Sequence, residues 1–77
     1  MNKFSFFNLT LERLAEKGYR GFYDFTYTTQ GDEDCHILFR CENKSGIEME
    51  FAYCVYNYAV KYRAVGQKYW EAMGVIV

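Results

Sequence analysis

Proline is absent from the 77 residues, histidine occurs once, and neither sign of charge dominates: nine basic side chains stand against ten acidic ones, for a formal net charge of −1. Each shortage closes off a class of function. A near-neutral chain with a pI near 5.7 lacks the broad basic footprint that grips a nucleic-acid backbone, and equally the dense acidic surface that imitates one. No run approaches the roughly 18 apolar residues of a membrane-spanning helix. Cysteine is scarce and odd in number, so Cys35, Cys41 and Cys54 cannot all close into intrachain disulfides, which points to a reducing compartment. Met1-Asn2-Lys3-Phe4-Ser5-Phe6-Phe7 has one lysine and a short apolar run before Asn8 and Thr10, with no small-residue cleavage signal. It reads as mature sequence, and the expected location is cytoplasmic. Without repeats, low-complexity runs or linkers, residues 1–77 make one domain.

Aromatic rings are what the chain has in excess: eight Tyr, seven Phe and one Trp. A half-apolar chain this rich in rings can bury a core, which excludes disorder. Surface scaling for 9.2 kDa gives roughly 4,900 Å² exposed after folding. With no proline, glycine supplies the punctuation, at Gly18, Gly21, Gly31, Gly46, Gly66 and Gly74.

Residues 5–17 carry helical spacing: Phe7, Leu11, Leu14 and Ala15 fall on one side, and Glu12, Arg13, Glu16 and Lys17 mostly on the other. Ser5 is placed as N-cap, with Phe4 and Leu9 as a hydrophobic staple, and Gly18 as the left-handed residue that folds Tyr19 back over Leu14. Residues 22–29 alternate, Tyr23, Phe25 and Tyr27 against Phe22, Asp24, Thr26 and Thr28. Residues 35–42 alternate again, Cys35, Ile37, Phe39 and Cys41 against His36, Leu38, Arg40 and Glu42. Ile47, Met49, Phe51, Tyr53 and Val55 form a third apolar face against Glu48, Glu50, Ala52 and Cys54. Polar turns at 30–34 and 43–46 join these into an antiparallel meander. Over 58–76 the spacing reads as a second amphipathic helix, with Tyr58, Ala59, Tyr62, Val65, Gly66, Tyr69, Trp70, Ala72, Met73 and Ile76 on one side and Asn57 as N-cap. Gly66 on that apolar side suggests close approach to another element. The expected fold is α+β: a three-stranded antiparallel sheet with two helices on one face, in the order αβββα.

Catalytic groups are few. Cys35 and His36 are neighbours on a strand and point to opposite faces, a poor dyad, and the cysteines read as small apolar strand residues. Cys35 is the one nucleophile worth naming, and the chain is expected not to be an enzyme. The cysteine spacings of six and thirteen residues do not match zinc knuckles, so neither metal nor other cofactor is expected. The acidic turn Asp32-Glu33-Asp34 shows no calcium-loop spacing. Gly18-Tyr19-Arg20-Gly21 lacks the following helix of a phosphate loop, and a helix cap explains it.

The sheet face left bare by the helices carries Asp24, Glu42, Glu48 and Glu50 against Arg40 and is expected to be net acidic. More tyrosines are present than a small core can bury with every hydroxyl satisfied, so some, Tyr56 among them, belong at the surface, where tyrosine favours interfaces. The apolar end Val75-Ile76-Val77 either docks on its own domain or meets a partner. Together these mark Asp24, Arg40, Glu42, Glu48, Glu50 and Tyr56 as partner-binding residues of a module that binds a larger protein without chemistry. A homo-oligomeric structural protein is the alternative. Lys44, Lys61, Arg63 and Lys68 are the basic side chains that would serve a second alternative, RNA or DNA binding. The order αβββα resembles, in topology, double-stranded RNA-binding domains. That family's lysine motif at the second helix is replaced by Asn57-Tyr58-Ala59-Val60-Lys61, and its Gly-Pro-His-type loop by Gln30-Gly31-Asp32-Glu33-Asp34, which repels phosphate, so no functional residue carries over. In size, aromatic load and want of catalytic groups the chain resembles the stand-alone proteins of bacteriophages and mobile elements, the anti-CRISPR inhibitors among them. That resemblance implies an inhibitor that occludes a nuclease or nucleic-acid site of a host defence complex.

Overall fold

The computed structural model describes the backbone of residues 3–29 and 35–77 and the side chains of 5–28 and 36–77. Among the described residues one helix, α1 (Lys3–Glu16), is followed by five strands: β1 (Arg20–Thr29), β2 (Cys35–Glu42), β3 (Glu48–Cys54), β4 (Ala59–Ala64) and β5 (Glu71–Val75). The strands pair in chain order as one antiparallel sheet. The fold expected from sequence is therefore corrected: the sheet has five strands rather than three, and the second helix is absent because 58–76 forms the hairpin β4–β5.

The first helix ends as its sequence requires. Gly18 is left-handed (φ 100°), its amide donates to the Ala15 carbonyl at 3.0 Å, and the Tyr19 amide donates to the Leu14 carbonyl at 3.1 Å. This is the Schellman pair, which satisfies carbonyls that a helix end otherwise leaves bare. The aliphatic part of Lys44 lies against Gly18, where a β-carbon would meet it at 2.3 Å. The start differs from expectation: Ser5 lies inside the helix, which begins at Lys3, while the Phe4 side chain of the proposed staple lies outside the described residues.

Strands β2 and β3 alternate as read. Direct pairing sets Ile37 opposite Tyr53, Phe39 opposite Phe51 and Cys41 opposite Met49 on one face, and His36 opposite Cys54, Leu38 opposite Ala52 and Arg40 opposite Glu50 on the other. Strand β1 does not keep strict alternation. Its register with β2 slips between Arg20 and Tyr23 and again between Tyr23 and Thr26, and Gly21 (φ 69°) and Asp24 (φ 60°) are left-handed at those points. Each bulge inserts one residue and reverses which side faces the core. Phe22 and Phe25 consequently share the helix side, both beside Phe39 at 5.9 and 5.7 Å between centroids, while Tyr23, paired with Arg40, joins the other face.

The helix-covered face holds the core. Phe25, Phe39, Phe51 and Tyr62 stack side by side across β1 to β4 at 5.7, 5.3 and 5.9 Å. From the helix, Phe7 meets Phe39 at 5.8 Å and Tyr53 at 5.2 Å, and Leu14 is fully buried. Burying a leucine or phenylalanine side chain contributes roughly 1.5–3 kcal/mol. The ladder uses a large part of the aromatic excess for stability. The molecule exposes 5027 Å², close to the roughly 4,900 Å² that size alone dictates.

In the hairpin that replaces the second helix, Val60, Tyr62 and Ala64 face the core side and Lys61 and Arg63 the other. Tyr58 takes a left-handed conformation (φ 65°), its amide donates to the Cys54 carbonyl at 2.9 Å, and its ring lies 4.7 Å from that of Phe6. Gly66 (φ 94°) turns the chain from β4 into β5, with no atom within 4 Å of where a β-carbon would stand. The close approach expected at Gly66 is thus replaced by a turn. Ile76 docks against the protein's own core. Among the described residues no helix is long and apolar enough to cross a membrane.

Candidate binding face

The face away from the helix is assembled in rows by the strand register. Arg20, Glu42 and Glu48 form the first, with the Arg20 and Glu42 side chains 3.9 Å apart. Tyr23, Arg40, Glu50 and Arg63 form the second. Thr26, Leu38, Ala52, Lys61 and Ala72 form the third, and Thr28, His36 and Cys54 the fourth. Four basic side chains, Arg20, Arg40, Lys61 and Arg63, match four acidic ones, Asp24, Glu42, Glu48 and Glu50. The net acidic face expected from three strands is corrected to a balanced one, because β1 begins at Arg20 and β4 adds Lys61 and Arg63.

The centre of the face is a shared ion pair. Glu50, whose side chain is 18% exposed, takes the Arg63 Nε through one oxygen and lies 3.8 Å from Arg40 Nη2 through the other. Arg63 also donates from Nη1 to the Lys68 carbonyl at 3.1 Å, and its guanidinium lies 4.1 Å from the centre of the Trp70 ring. That contact is a cation–π interaction, and it folds the β4–β5 connection back over the sheet. Trp70 is 37% exposed where its neighbour Tyr69 is 74% exposed. Two adjoining hollows, of about 200 and about 210 Å³, share Trp70 as a wall. Asp24, Thr26, Leu38 and Arg40 line the first together with Glu50 and Arg63. Thr28, His36, Leu38 and Lys61 line the second.

Of the partner-binding residues marked from sequence, Arg40 and Glu50 touch, Asp24 lines the same hollow, and Glu42 and Glu48 lie one row away on the same face. Tyr56 is 58% exposed in the turn after β3, beyond the fourth row, and does not join them. Of the basic alternative, Lys61 and Arg63 flank Trp70, the Lys68 ammonium lies 5.4 Å from the centre of the Tyr69 ring, and Lys44 lies over Gly18 at the helix C-terminus. Sequence reasoning missed Trp70, Leu38, Thr26, Thr28 and His36 as lining residues. The signal was present in Trp70, the sole tryptophan, set beside Lys68 and Tyr69 in a stretch bounded by two glycines.

The nominal metal and thiol ligands are dispersed. Cys41 is buried on the covered face, with its thiol pushed up to about 12 by that burial, and so remains protonated and inert at neutral pH. His36 and Cys54 face each other across β2 and β3 on the opposite side. The Cys35 side chain and the acidic turn Asp32-Glu33-Asp34 lie outside the described residues. Among those described, no three His, Cys, Asp or Glu side chains cluster to hold a metal. Set against protein-family models, curated proteins and solved structures, the chain matches none, and the face is read from its own residues.

Proposed function

We propose that the protein is a non-enzymatic binding module whose open sheet face docks a larger protein. The observation that supports this reading most is Trp70, folded over Arg63 beside two hollows on an otherwise uncovered sheet. Tryptophan and arginine are the residue types that most often dominate binding energy at protein interfaces, and a half-exposed indole with a hollow on either side is a ready anchor. The resemblance in class to phage-borne inhibitors makes a nuclease of a host defence complex the first partner to try. Self-assembly through the sheet edges is disfavoured, because β1 carries two bulges and β5 is five residues long with a slipped register and a left-handed Gly74. Irregular, short edges are how sheets avoid adding strands.

The test is affinity capture from the native host with face and helix variants in parallel. Trp70→Ala and Arg40→Glu are expected to lose the captured protein, while Glu12→Lys, on the exposed side of the helix, keeps it. Retention by both face variants and loss with the helix variant would overturn the assignment.

A further inference from the structure

We infer that the open face receives a partner segment of mixed charge, one that brings a carboxylate to Lys61 and a cationic side chain to Glu48, with an apolar side chain in the adjoining hollow against Leu38 and Trp70. This inference rests on the docking role proposed above and names the chemistry of what docks.

The charge pattern carries it. Arg20 with Glu42, and Arg40 and Arg63 with Glu50, are paired within the face. Glu48 and Lys61 have no ion pair among the described residues, and both are exposed. They lie at opposite ends: Glu48 is in the first row and Lys61, opposite Ala52, in the third. Four residues along a strand and one strand across correspond to roughly 14 Å. Between them lies the second row, Glu50 and Arg63 with Trp70 against Arg63, and the hollow that Trp70 walls extends from there to Leu38 on β2. Asp24, also without an ion pair among the described residues, lies on the β1 rim of that hollow. An extended nucleic-acid strand fits this pattern poorly, since its phosphates would have to pass Glu48, Glu50 and Asp24 to reach Lys61. A peptide with one charge of each sign meets a complementary charge at both ends, the arrangement that fixes register and partner choice at interfaces.

The experiment selects displayed random peptides on the wild-type protein and follows the selected peptides by fluorescence of Trp70, the chain's one tryptophan. Selected peptides are expected to carry both an acidic and a basic residue. Changing the peptide's acidic residue to lysine should weaken binding about tenfold to the wild type, and Lys61→Glu should restore it; Glu48→Lys should do the same for the basic residue. Both substitutions are at exposed positions, and circular dichroism checks that each variant folds. Peptides that bind this face with no charge of one sign, or that show no reciprocal rescue, would overturn the mixed-charge inference and leave the docking role standing. If no peptide binding responds to Trp70→Ala or Arg40→Glu, the docking role falls with it. Salt-sensitive quenching of Trp70 by oligothymidylate, with no peptide selected, would assign the face to nucleic acid and overturn both.

Discussion

The two faces of the sheet are built from the same strands one residue apart. Phe39, Phe51 and Tyr62 form a stacked ladder under the helix, while their chain neighbours Arg40, Glu50 and Arg63 form a shared ion pair on the other side. Alternation along a strand sends successive side chains to opposite faces, so a single offset separates cohesion from recognition. The covered row excludes water and contributes through area. The open row holds its charges only partly exposed, Arg40 the most and Glu50 the least, and ion pairs so placed add less to stability than the buried rings. Stability and binding should therefore be separable by mutating adjacent residues.

The sharpest break would come from Phe39 and Arg40. Phe39→Ala removes the ring that touches Phe7, Phe22, Phe25 and Phe51, and urea unfolding should show a loss of about 3–5 kcal/mol. Arg40→Ala should stay within about 1 kcal/mol of wild type; a comparable loss at both would mean that the open face also holds the fold together. Glu50→Ala leaves two guanidiniums facing each other and should cost about 1–2 kcal/mol, measured the same way. Gly18→Ala places a β-carbon at a left-handed position and should cost about 1 kcal/mol without touching either face. Unfolding measured against pH separates the faces by another route. The pKa of Cys41 is raised by burial, as is that of Tyr53, chiefly by burial and then by Tyr58 and Cys54 nearby. Groups raised in the folded state contribute stability that is complete below their unfolded pKa and lost as pH climbs toward the folded one. Stability should thus decline above about pH 9, where free thiols ionise, and Cys41→Ala should flatten that decline. The smallest effect belongs to the covered face itself. Among the described residues the buried Tyr53 hydroxyl has no hydrogen bond of normal geometry, only the Thr10 side chain near it, so Tyr53→Phe should shift the unfolding midpoint little in either direction.

What was legible in the sequence follows the same division. Strands β2 and β3 declared themselves because nothing interrupts their alternation between Cys35 and Glu42 or between Glu48 and Cys54. The helix end was legible because Gly18 alone can take the conformation that ends it cheaply. Strand β1 misled because the second bulge turns on Asp24, which within an alternating run reads as an ordinary outward strand residue, and one inserted residue swaps the roles of Tyr23 and Phe22. The segment 58–76 misled because two periods fit it. Val60, Tyr62 and Ala64 alternate with Lys61 and Arg63, yet Tyr58, Tyr62, Tyr69 and Trp70 also fall on one side of a helix. Left-handed Tyr58, Gly66 and Gly74 decide for the hairpin, and of these only the glycines could have warned a reader. The binding face was half seen for that reason: Arg40 and Glu50 came from strands read correctly, whereas Arg63 and Trp70 reach them only when the last segment is extended.

The separation of the two faces is tested most directly by nuclear Overhauser contacts from the Trp70 indole in the free protein. Cross-peaks to the side chains of Leu38 and Arg63, with none to Phe7 or Leu14, are the expected result. Contacts from the indole to Phe7 or Leu14, or helical amide-to-amide contacts running through 58–76, would place Trp70 in the core and contradict it.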